Sequence, residues 1–141
     1  MGIRSKNIES DNSYNEFAQQ IIALPVHIGA SHNAIAVEAR MPWAGKILSA
    51  YFRCSQITDS DDSAKVKTEI SGTDNSGTAQ DPVAADTTTT FTIGTATFAA
   101  GAFLQGHVLT GAGDALVGTF TWVVRPYLGV AERVSASLGD S

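Results

Sequence analysis

From Leu48 to Cys54 every second residue is apolar, Leu48, Ala50, Phe52 and Cys54, while Ile47, Ser49, Tyr51 and Arg53 fall on the phase that tolerates water. An alternation of period two is the pattern of a half-buried strand with one face toward a core. It starts from Met41-Pro42-Trp43-Ala44-Gly45, where proline presets φ and glycine accepts backbone conformations that other residues resist, so a tight turn leads into the strand. A chain built on this period must bury one face of each strand against another layer.

The same period recurs along the chain. Gln20 to Ile28 places Ile22, Leu24, Val26 and Ile28 on one face, with Pro25 marking an edge strand or a bulge. Between Ala34 and Arg40, Ile35, Val37 and Ala39 oppose Glu38 and Arg40. Ala64 to Gly72 sets Val66 and Ile70 inward and Lys65, Lys67 and Glu69 outward. The last strand, Leu116 to Arg125, has Phe120, Trp122 and Val124 against Thr119, Thr121, Val123 and Arg125, and Pro126 closes it. Shorter candidates are Phe91–Ile93, Thr95–Phe98 and Ala102–Thr110. Gly111-Ala112-Gly113-Asp114 reads as a hairpin turn.

The longest interruption runs from Gly72 to Thr90 and ends in four threonines. A loop of that length on a compact domain is expected to be exposed and is often functional. The charged fraction is only 16% and Thr, Ala, Ser and Gly abound, which fits a turn-rich all-β chain. About eight short strands with turn signals between them predict an antiparallel β-sandwich, a jelly roll by strand count.

The expected organisation is an extended arm over residues 1–19, a sandwich over 20–128 and a short tail over 129–141. The arm is polar, with Ile3, Ile8, Tyr14 and Phe17 spaced along it. It holds too little apolar surface to order alone. It is either a loose terminus or a segment that orders on a partner through those four side chains. In the tail, Val130, Val134 and Leu138 recur at four-residue spacing, enough for one or two amphipathic helical turns held by a partner.

No catalytic pattern emerges, and the chain reads as a non-enzyme. The serines lack a Gly-x-Ser-x-Gly elbow, and Gly111-Ala112-Gly113 lies between strands rather than before a phosphate-binding helix. His27, His32 and His107 lack metal-ligand spacing, and Asp59, Asp61 and Asp62 lack the glycine and distant glutamate of a calcium loop. Neither metal nor cofactor is expected. Cys54 is alone, in phase with inward side chains, and reads as a small buried hydrophobe. The net charge of −5, with no basic patch, argues against nucleic acid as a partner. No apolar run approaches the roughly 20 residues of a membrane span, and the opening Met-Gly-Ile-Arg-Ser-Lys leads into polar sequence unlike a signal peptide. Trp43 either caps the end of the core or stands as a surface aromatic able to stack on a partner.

Pro42-Trp43-Ala44-Gly45-Lys46-Ile47-Leu48-Ser49-Ala50, followed later by Phe98-Ala99-Ala100-Gly101, the turn at Gly111 to Gly113 and the closing Phe120-Thr121-Trp122-Val123-Val124-Arg125, resembles a pattern in small jelly-roll proteins of tailed bacteriophages. The resemblance spans roughly residues 34–126. It implies a cement or decoration protein made in the host cytoplasm and carried on the virion surface. Such a protein binds the major capsid protein and copies of itself as a dimer or trimer. The partner contacts expected on this view are Ile3, Ile8, Tyr14, Phe17 and Trp43. The long connection from Gly72 to Thr90 departs from the family pattern. The rival expectation is a tail-fibre or carbohydrate-binding sandwich, which needs an exposed aromatic platform at Trp43 and Tyr51.

Overall fold

The first and last strands of the sandwich are hydrogen-bonded neighbours. In the computed structural model, which describes residues 19–58, 64–80 and 84–127, β1 (Gln20–Ile28) pairs along its whole length with β9 (Ala115–Pro126), from Gln20 opposite Val124 to Ile28 opposite Leu116. On its other side β9 pairs with β3 (Gly45–Thr58). The far edge of β3 takes β6 (Thr87–Thr90) along Tyr51–Cys54 and β7 (Thr97–Phe98) along Gly45–Lys46. This first sheet therefore runs β1-β9-β3-β6, with β7 also on β3. The second sheet runs β2-β8-β4-β5, from β2 (Asn33–Arg40) through β8 (Phe103–Leu109) and β4 (Lys65–Ile70) to β5 (Thr73–Asp74). All pairings are antiparallel, and no helix occurs among the described residues. The protein is an all-β, two-sheet antiparallel sandwich.

Its core lies between the sheets. Phe52, Leu116, Phe120, Trp122 and Val124 of the first sheet and Val66, Leu104 and Val108 of the second are completely buried. Each contributes roughly 1.5–3 kcal/mol by leaving water. Phe120 is the hub: its ring centroid lies 4.8 Å from that of Phe52, 5.8 Å from Trp122 and 6.1 Å from Phe91. Two strand glycines make room for these rings. A Cβ at Gly106 of β8 would stand 2.6 Å from the Phe120 ring, and one at Gly118 of β9 would collide with the Phe52 ring and the Arg53 carbonyl. Glycine inside a strand signals this kind of close approach.

The inward phases expected for β1 and β9 hold: Ile22, Leu24, Val26 and Ile28 face the core, as do Phe120, Trp122 and Val124. Elsewhere bulges change the phase. In β3 the register slips between Ile47 and Ser49, so Leu48 is the extra residue. Ile47, expected on the wetter phase, is a core residue at 2% exposure, while Leu48 is only half-buried. A second slip lies between Cys54 and Gln56. In β2 the slip falls between Ile35 and Val37. Val37 and Ala39 pack on the core, and Ile35 shares the other face with Glu38 and Arg40 rather than that of Val37. One inserted residue moves every side chain beyond it to the opposite face.

One loop expectation is corrected as well. Gly111–Asp114 is not a hairpin turn, because β8 and β9 belong to different sheets. It is a corner, with Gly113 at φ +84° and the Gly111 N–H donating to Asp114 Oδ2 at 2.7 Å. The β1–β2 crossing runs beside it: Ser31 N–H donates to Gly111 O, Thr110 N–H to His32 O, and the Thr110 hydroxyl to Gly29 O at 2.6 Å. The segment from Gly72 to Thr90 is mostly exposed among its described residues, as expected, but part of it is built into the sheets. It supplies β5, a bridge from Gln80 to Val66 and the threonine strand β6. Asn75 and Ser76 within it are buried, where Thr68 donates its hydroxyl to Asn75 Oδ1 at 2.7 Å and its N–H to Ser76 Oγ at 3.0 Å. Buried polar groups need such partners.

Candidate functional site

The outer faces of the two sheets differ in what they leave unspent. On the second sheet, polar side chains of four strands answer one another. His107 of β8 has Nδ1 2.9 Å from Glu69 Oε2 and Nε2 2.8 Å from Asn33 Oδ1. Lys67 Nζ lies 2.8 Å from Asp74 Oδ1 and 3.9 Å from Glu69 Oε2. Gln105 donates to Glu38 Oε2 at 2.8 Å and accepts the Gly72 N–H at 2.7 Å. Glu69, outward by phase as expected, is nonetheless 6% exposed, because Lys67, His107 and their strands crowd it. A carboxylate so enclosed must be paired. Arg40, Lys65 and Lys67 balance Glu38, Glu69 and Asp74 on this face.

This cluster has the residue types of a catalytic dyad but not the access. Both ring nitrogens of His107 are engaged within the sheet, so neither is aimed outward as a general base needs to be. The three histidines are not brought together: His27 stands exposed on β1, and His32 donates its backbone N–H to Thr110 Oγ1 at 3.0 Å in the corner. No group of three potential metal ligands occurs among the described residues. Asp59, Asp61 and Asp62 lie outside them.

The first sheet presents a different surface. Alternation from the register puts Ile21, Val123 and Ser49 in one cross-strand row, Ala23, Thr121, Tyr51 and Thr90 in the next, and Pro25, Thr119, Arg53 and Thr88 in a third. Lys46 sits directly opposite Arg125. Tyr127, just past the end of β9, continues the same alternation and is anchored by its N–H to Ala44 O at 2.9 Å. Arg53 reaches Asp86 at 3.7 Å and Thr88 Oγ1 at 3.4 Å. Neither Lys46 nor Arg125 has an acidic partner among the described residues.

Of the expected contact residues, Trp43 is half-buried and packs against the core cluster, and Tyr51 is half-buried in its row. Ile3, Ile8, Tyr14 and Phe17 lie outside the described residues, as does the tail beyond 127. Sequence reasoning missed the apolar character of Ile21 and Tyr127 as surface features. The signal was there for Ile21, which falls on the β1 phase opposite Ile22 and Leu24. Cys54 is buried, as expected, its thiol near the Gln56 carbonyl at 3.6 Å. Burial pushes that thiol up from its ordinary pKa, the Asp86 carboxylate adds to the rise, and Arg53 opposes it. Neither a family model nor any curated protein or solved structure matches this chain.

Proposed function

We propose that this chain is a structural protein of a tailed-phage head: a cement protein that binds the outside of the capsid and bridges neighbouring major capsid protein subunits. The observation that carries the reading is the strand order. With β6 and β7 counted as two pieces of one strand, both on the same edge of β3, the order β1-β9-β3-β6/β7 facing β2-β8-β4-β5 supports reading the sandwich as a jelly roll. That is the architecture implied by the resemblance of residues 34–126 to small phage head proteins.

The mechanism needs no cofactor and no bond chemistry. Copies that bind only the assembled shell shift the assembly equilibrium toward it, as any ligand of one state does. On this reading the protein is made in the host cytoplasm, joins copies of itself on the shell, and ends on the virion surface. The carbohydrate-binding alternative is less well supported, since Trp43 spends its ring on the core and Tyr51 is half-buried.

The test is sedimentation. Heads of the phage encoding this chain, prepared without it, are mixed with the purified full-length protein and pelleted. The expected result is saturable co-sedimentation together with heads that withstand higher temperature. Heads that pellet without the protein at micromolar concentration sink the proposal.

A further inference from the structure

Two large apolar side chains stand exposed among the described residues, Ile21 at 71% and Tyr127 at 45%. Both fall on the outer face of the first sheet, Ile21 beside Val123 and Tyr127 beyond Arg125. On that face Lys46 and Arg125 oppose each other across β3 and β9. Like charges directly opposite on neighbouring strands are unfavourable, and nothing among the described residues neutralises them. The second sheet's outer face, by contrast, is electrically balanced and spends its polar groups on itself.

Two of the sheet edges are poor templates for another strand. β1, one edge of the first sheet, carries Pro25 in its middle, and β2, one edge of the second, is bulged at Ala36. Proline and bulges are the usual blocks to edge pairing.

We propose that the outer face of β1, β9 and β3 is the docking face, and that its occupant is a protein surface on the capsid that sets an acidic group between apolar contacts. This inference rests on the cement reading and names the surface that reading leaves open. Ile21 and Tyr127 provide the apolar anchors, and Lys46 and Arg125, in the row between them, meet the acidic group, whose charge relieves their mutual repulsion. Tyrosine and arginine are the residues that interfaces favour.

The size of the face sets the strength of the contact. Nine residues of strand and three strands give a rectangle of roughly 30 Å by 14 Å, about 400 Å², against about 800 Å² per partner in a stable one-to-one interface. A single contact is therefore weak. Retention comes from repeated contacts on a polyvalent shell, where linked binding events act at high effective concentration.

The experiment compares three full-length proteins on heads lacking the chain, at about 50 mM and 300 mM salt: wild type, the double variant Ile21→Asp/Lys46→Glu, and Arg40→Glu as an equal charge reversal on the other sheet's outer face. Circular dichroism melting checks that each is folded. The expected result is wild-type binding that weakens at high salt, at least tenfold lower retention of the double variant with unchanged melting, and wild-type retention of Arg40→Glu. Binding by the double variant equal to wild type overturns the docking face while leaving the cement reading intact. Wild type that ignores heads at both salts removes the cement reading and the occupant with it. A solution dimer that the double variant dissociates, seen by sedimentation velocity, assigns the face to a second copy and also overturns the proposal.

Discussion

Trp122 is fully buried, yet its indole Nε1 has no hydrogen-bond partner among the described residues. Its contribution is therefore almost wholly packing against Phe120 and the surrounding apolar side chains. Trp122→Ala is expected to cost about 3–5 kcal/mol in chemical denaturation, whereas Trp122→Phe, which forfeits no hydrogen bond, should cost less than about 1.5 kcal/mol. A loss below about 1 kcal/mol for alanine would mean the inward face of β9 is misassigned. Cys54 gives a second residue-scale expectation. Its folded pKa is raised, so the folded state holds the thiol proton more tightly than the unfolded chain does. Stability is then unaffected at neutral pH and falls as pH climbs from about 8.5, the unfolded thiol's value, through the raised one. Urea unfolding between pH 7 and 9.5 should show that decline in the wild type and a flatter profile in Cys54→Ala.

Among the elements, β1 and β9 were legible in the sequence because nothing interrupts their alternation: each inward residue read from the phase is inward in the fold. β2 and β3 were legible as strands but not in phase throughout. The slips at Ala36, Leu48 and near Ser55 carry no glycine or proline to announce them. They are set by the partner strand, which a single sequence does not name. The burial of Glu69 was hidden for the same reason, since His107 reaches it from a strand almost forty residues away. The candidate face was half legible: the outward phase of β9 was read correctly, but its juxtaposition with Ile21 and Lys46 depends on β9 lying between β1 and β3. One element-scale prediction follows from Gly118. A methyl group there meets the Arg53 backbone carbonyl as well as the Phe52 ring, and the carbonyl cannot swing aside. Gly118→Ala should destabilise by about 1–3 kcal/mol, measured by urea midpoint with unchanged m-value. A neutral result would show that β3 and β9 can separate locally at little cost.

For the whole molecule, the buried core among the described residues runs from Val26 to Val124, with Ile22 and Leu24 packed against it. Deleting residues 2–16 is accordingly expected to leave the melting temperature nearly unchanged while weakening retention on heads, if Ile3, Ile8 and Tyr14 serve as contacts. Intact binding with a destabilised free domain would show instead that this segment packs on its own body. The pairing of Gln20 with Val124 brings residue 19 and residue 127 out of the sandwich at the same end. Residues 19 and 127 thus stand at the end of the first sheet that carries Ile21, Lys46 and Tyr127.

That first-to-last pairing also governs how the protein is made. β9 fills the gap between β1 and β3, so a ribosome must release roughly the last hundred residues of the sandwich before the strand at its beginning has a neighbour to bond. Contacts this distant in sequence place folding in the millisecond-to-second range rather than the microsecond range of local folds. During synthesis, the exposed backbone of β1 and the empty flank of β3 wait unpaired, a state prone to association with other nascent chains. Any truncation that stops short of residue 115 strands both of them permanently, so a shortened product should be lost to aggregation or proteolysis rather than accumulate as a smaller working protein.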